Sequence, residues 1–134
     1  MIFIDTGAFL GRYIARDQYH GEAVGCWEEL RAEGTHCFTS NFVLDETFTL
    51  LGRRAGHTFA AARARKILAS QNLTILRPVH EDEVHAVEFF EKFADQEVSF
   101  TDCVSFVLMR KKRLKRVFCF DEHFRRAGFE MWPS

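Results

Sequence analysis

Met1-Ile2-Phe3-Ile4-Asp5 is a short apolar run that ends on an acid, and from about Ala8 to Arg16 the apolar residues after it fall at helical spacing. This succession recurs along the chain. His36–Thr39, Leu73–Leu76 and Arg116–Phe120 are further short apolar runs, and Phe129–Trp132 offers a fifth. Between them, Gly21–Glu33, Phe42–Ala55, Thr58–Ser70, Glu81–Ala94 and Asp102–Leu114 carry helical periods. Strands alternating with helices predict an α/β fold, with a central, mostly parallel sheet of four or five strands and helices on both faces. Open sheets of this kind bind ligands at the carboxyl ends of their strands.

The punctuation agrees with this reading. Ser40 or Asn41 is placed to cap the third helix and Ser99 or Thr101 the sixth, while Gly34, Gly56 and Gly128 stand where the chain must reverse. With 134 residues, 47% of them hydrophobic, and no repeat, low-complexity tract or Gly/Ser linker, one domain over residues 1–134 is expected. The aromatic content is 15 Phe against 2 Trp and 2 Tyr, so most aromatic surface lacks a polar handle and reads as core. A net charge of -1 excludes a uniformly basic coat, so any site for a polyanion is local. No apolar stretch approaches the roughly 20 residues of a membrane span. Cys26, Cys37, Cys103 and Cys119 show no C-x-x-C spacing and no signal peptide precedes them, which points to reduced thiols in the cytoplasm.

Four acids carry the chemistry. Asp5 and Asp121 each follow an apolar run, so both fall at one edge of the predicted sheet; either alone reads first as a helix N-cap or turn residue. Glu46 is more informative, because on a helix it shares a face with Val43, Thr47 and Leu50, which should point at the core. Asp102 shares a face with Ser105, Phe106 and Met109, with a first-turn capping role as its alternative. A buried carboxylate costs several kcal/mol unless it is neutralised, paired or bound to a cation. No Lys or Arg occupies the same predicted faces, and hard divalent ions such as Mg²⁺ or Mn²⁺ take oxygen ligands of this type. An acid cluster of this kind suits metal-activated water and phosphodiester hydrolysis.

Four blocks, M-I-F-I-D-T-G from Met1, T-S-N-F-V-L-D-E-T-F-T-L-L from Thr39, S-F-T-D-C-V-S-F from Ser99 and V-F-C-F-D-E-H-F from Val117, resemble those of PIN domains. The likeness is greatest to VapC-like toxins and related stand-alone nucleases, and it runs the length of the chain. The resemblance implies a three-layer α/β/α sandwich and a Mg²⁺- or Mn²⁺-dependent endoribonuclease with Asp5, Glu46, Asp102 and Asp121 as its acids. It also implies Thr6 and Thr101 as hydroxyls near the metal or phosphate, an RNA substrate cut to leave a 5′-phosphate, an antitoxin protein as partner, and a homodimer. Asp5, Asp102 and Asp121 would hold the metal, while Glu46 would bind a second ion or steer the attacking water. Asp45 lies about 100° round the helix from Glu46 and should face solvent. The alternative of another class is a PIN-like module that binds RNA or protein with little or no catalysis.

Other signals are set beside these. The run Arg110-Lys111-Lys112-Arg113-Leu114-Lys115-Arg116 reads equally as an RNA grip, through Arg110, Lys111 and Arg113, or as cations complementing a helix end. Arg53, Arg54, Arg63, Arg65 and Lys66 form a second basic surface open to the same two readings. His80 and His85 are five apart, where a zinc-protease helix needs four. The other histidines are expected on surfaces, and Cys103 in the core. A dehalogenase-type phosphatase would need a second Asp where Gly7 stands.

Overall fold

Strands in this chain are only three or four residues long, and the three central ones are held by parallel pairing on both sides. A computed structural model describes residues 1–134. The element order is β1 (Ile2–Ile4), α1 (Thr6–Tyr13), α2 (His20–Glu33), β2 (Cys37–Ser40), α3 (Asn41–Ala55), α4 (His57–Leu68), β3 (Leu73–Leu76), α5 (His80–Lys92), a 3₁₀ turn (Ala94–Gln96), α6 (Phe100–Lys111), β4 (Arg116–Phe118), α7 (His123–Arg126) and β5 (Glu130–Trp132). The five strands form one all-parallel sheet in the order β3-β2-β1-β4-β5, with Ile2 beside Cys37 and Ile4 beside Phe118. Strand order reverses direction between β1 and β4. Right-handed crossovers on either side of that reversal put α1–α4 over one face and α5–α7 over the other. The packing agrees: α1 lies against α2 and α3, α3 against α4, and α5 against α6. This is the three-layer α/β/α sandwich.

The central strands are covered on both faces, and Ile2, Phe3, Ile4, Val117 and Phe118 are fully buried. Beneath α5–α7 the core is a phenylalanine cluster. The Phe106 ring meets those of Phe124 at 5.1 Å, Phe89 at 5.6 Å, Phe129 at 5.9 Å and Phe93 at 6.0 Å. Not every Phe is core: Phe90, on the outer face of α5, is 47% exposed.

Where the expected boundaries shift, local chemistry explains why. β4 stops at Phe118 rather than Phe120, because its neighbours end there: Asp5 N–H donates to Phe118 O and Cys119 N–H to Trp132 O, the last residue of β5. Helix α1 ends at Tyr13, short of Arg16, and Asp17 Oδ1 accepts the Tyr19 N–H at 2.9 Å in an Asx turn. Helix α6 ends at Lys111, with Arg113 at φ 57°. Both cap alternatives resolve to serine: Ser40 Oγ accepts from Val43 N–H and Ser99 Oγ from Asp102 N–H. Gly34, Gly56 and Gly128 all take positive φ at reversals.

Candidate active site

The strand order reverses between β1 and β4, and the carboxyl ends of strands at such a reversal are where an open α/β sheet receives its ligand. Asp5 follows β1 directly and is buried; Asp121 lies three residues past β4 and is half-buried. Asp102, in the first turn of α6, is buried. Ser99 caps α6 by accepting the Asp102 N–H, but the Asp102 carboxylate does not return to the Ser99 N–H; its Oδ2 lies 3.4 Å from His123 Nδ1. Glu46 comes from the first half of α3, where Val43 and Thr47 are buried while Glu46 and Leu50 are half-buried. It therefore stands at the border of the apolar stripe rather than within it. Asp45 is exposed, as expected.

Four acids thus approach from four elements, and their electrostatics show it. Burial, then the charge of Asp102, and further those of Glu46 and Asp121, raise the Asp5 carboxyl well above its ordinary value, against the pull of the Thr6 N–H. Asp102 is pushed up to about 6 by burial and by Asp121, with His123 acting in the other direction. None of the four forms an ion pair with Lys or Arg. Beside them the Thr6 hydroxyl is buried with no hydrogen-bond partner, and so is Thr47 Oγ1, next to Glu46 in sequence. A set of oxygen donors, unneutralised and with orphaned hydroxyls, fits a divalent cation.

His123 is the site residue that sequence reasoning placed on the surface. Asp121 Oδ1 accepts the His123 N–H at 2.9 Å, and this turn brings the ring back so that Nδ1 lies 3.0 Å from Asp121 Oδ1 as well as near Asp102. The donors of Asp102, Asp121 and His123 all lie within 4.8 Å of one another. The signal was the spacing D-x-H beginning three residues after a strand, a turn signature rather than a helical one.

The expected hydroxyls separate. Thr6 is adjacent to Asp5 and buried, whereas Thr101 is half-buried and its carbonyl accepts from Ser105 Oγ. The basic run lies elsewhere. Lys111 is nine residues along α6 from Asp102, about 13 Å at the helical rise, and its Nζ pairs with Asp82 at 3.1 Å. Arg110 packs over Phe89 at 4.8 Å and donates to Ala127 O. Arg113 is exposed beyond the same helix end. The three cations are thus at the end of α6 opposite the acids, two of them engaged within the chain. Part of the second basic surface, Arg63 and Lys66, instead joins Arg12 and Arg31 around a groove of about 700 Å³, where Arg12 lies 4.8 Å from the Trp27 ring. All four cysteines are buried free thiols; burial and the Asp102 charge push Cys103 up to about 11.

The sequence profile of the PIN domain matches residues 2–130. The chain belongs to the PIN-domain family. This PIN domain is 39% identical over 132 residues to the 23S rRNA-specific endonuclease VapC20 of Mycobacterium tuberculosis, covering 96% of this chain and 95% of that one. It is 30% identical over 139 residues to a VapC ribonuclease of Archaeoglobus fulgidus, covering 98% and 85%. The crystal structure of Mycobacterium tuberculosis VapC20, described as a sarcin-ricin loop cleaving toxin, superposes with a TM-score of 0.87 at 36% identity, covering 96% of each chain. The fold of this PIN domain is therefore that of a VapC toxin.

Proposed function

We propose that this PIN domain is a VapC-type toxin endoribonuclease that hydrolyses RNA with Mg²⁺ or Mn²⁺. The observation that carries the reading is the convergence of Asp5, Glu46, Asp102 and Asp121 on one site with no Lys or Arg to balance them. Asp5, Asp102 and Asp121 would hold the ion; Glu46, less buried, would hold a second ion or accept the proton of the attacking water. A bound divalent ion supplies Lewis acidity, activating water and stabilising charge on the phosphoryl oxygens. No side-chain nucleophile is required, so the cut would leave a 5′-phosphate and a 3′-hydroxyl.

Ribosomal RNA is the first substrate to test, since the VapC20 relative is specific for 23S rRNA. The toxin reading brings with it an antitoxin protein as partner, a cytoplasmic setting, which suits four free thiols, and a homodimer. Val84, Val87 and Phe90 on α5 are 44%, 45% and 47% exposed, an apolar face that a second copy would cover. No helix is long and apolar enough to cross a membrane.

The deciding experiment incubates rRNA with wild type and Asp5→Asn, with Mg²⁺, with Mn²⁺ and with chelator, and maps the ends produced. Cuts bearing 5′-phosphates, dependent on metal and lost in the variant, are expected. Protein freed of any inhibitor that binds RNA but leaves it uncut under every condition would favour the binding-module alternative.

A further inference from the structure

The acids explain affinity for a divalent cation but leave unexplained a ring nitrogen among them. His123 is not a surface histidine that happens to fall near a carboxylate. Its side chain is 20% exposed, and its Nδ1 is the atom that faces Asp102 Oδ2 at 3.4 Å and Asp121 Oδ1 at 3.0 Å. Its backbone is fixed on both sides, by the N–H donated to Asp121 Oδ1 and by Phe124, fully buried in the phenylalanine core. Ligand atoms about 2.1 Å from one octahedral ion lie about 3 Å apart when adjacent, close to the separations seen here. In the metal-free chain Nδ1 lies within hydrogen-bond reach of both carboxylates, so the same ring nitrogen that bridges them there is placed to share an ion with them.

We propose that His123 Nδ1 is a metal ligand of this PIN domain, completing a site with Asp102 and Asp121 that favours Mn²⁺ over Mg²⁺. Mg²⁺ demands an octahedron of oxygens and sheds water reluctantly, whereas Mn²⁺, although it also favours oxygen and is the weakest binder of the first-row series, accepts an imidazole more readily than Mg²⁺ does. One nitrogen in place of an oxygen therefore moves the preference towards Mn²⁺ without changing the charge contributed by the acids. The inference rests on the metal-dependent reading above and specifies which ion that site is built for.

The test reads binding rather than turnover. Mn²⁺ is titrated into the purified full-length protein, wild type, His123→Asn and Asp5→Asn, with bound ion followed by electron paramagnetic resonance and Mg²⁺ affinity measured by competition. Wild-type protein should show a ¹⁴N coupling from one imidazole, replaced by a ¹⁵N coupling when the histidines are labelled. His123→Asn should lose that coupling and bind Mn²⁺ about tenfold or more weakly, while its Mg²⁺ affinity changes by less than about threefold. Mn²⁺ bound to wild type without nitrogen coupling would overturn the proposal and leave the acid site standing. Absence of Mn²⁺ and Mg²⁺ binding in wild type, equal to that of Asp5→Asn, would overturn both readings. The isotope substitution in wild type decides whether an imidazole binds the ion, and His123→Gln, titrated in the same way, assigns it to His123 among the six histidines if His123→Asn fails to fold.

Discussion

Asp5 and Asp102 are costly residues in the metal-free protein, and their cost has a sign that can be measured. The unfolded chain releases the Asp102 proton near 3.8, while the folded chain holds it to about 6. Within that window the folded state binds more protons than the unfolded state, so this group's contribution to stability falls as pH rises and then levels off. In chelator, the melting temperature of Asp102→Asn relative to wild type should therefore climb through the window and stay flat above it. A difference that is constant with pH would contradict the shift. Asp5→Asn keeps an oxygen able to accept the Thr6 N–H but removes the charge that Asp102 opposes. It should stabilise the chelated protein by about 0.5–2 kcal/mol in denaturant melts at pH 7, while abolishing both cleavage and stabilisation by added Mn²⁺. Opposite signs for stability and activity are what an acid cluster that needs a cation for charge balance predicts.

At the scale of elements, the acids are placed by helix starts and strand ends. Ser99 caps α6 through the Asp102 N–H, which fixes the backbone from which the Asp102 carboxylate faces His123. Ser99→Ala should cost about 1 kcal/mol of stability, and because Ser99 Oγ holds the Asp102 N–H, loosening that first turn should lower Mn²⁺ affinity as well. A thermal melt and a metal titration on the same sample check both effects; lost stability with unchanged affinity would show that the cap does not position Asp102. Much of this level was legible in the sequence. The apolar runs before Asp5 and Asp121 located both strand ends within two residues, and the helical stripe marked Glu46. Less legible was where β4 ends, because that depends on how far β1 and β5 run beside it.

Across the whole molecule, the phenylalanine cluster ties α5, α6 and α7 together beneath the sheet, with Phe106 at its centre. Phe106→Ala should destabilise by about 3–5 kcal/mol, and the loss reaches the site, because Phe106 packs on Phe124, next to His123. Urea melts of wild type and variant, both in chelator, measure it. A loss under 1 kcal/mol would mean that the cluster closes over the cavity without moving α7.

The alternation of strand and helix, the acids at strand ends and the serines before helices are properties of neighbouring residues, and they were readable because local propensity and periodicity act over a few positions. The sequence by itself thus determined an α/β chain and singled out Asp5, Glu46, Asp102 and Asp121 as its candidate acids. Only the tertiary structure decided what each charge faces. Lys111 sits in a basic run and turns to Asp82, Arg110 lies on Phe89, and His123 leaves the surface for the acids. Those outcomes depend on residues up to 29 positions apart in the chain, brought together by packing, and no periodicity within one segment records them.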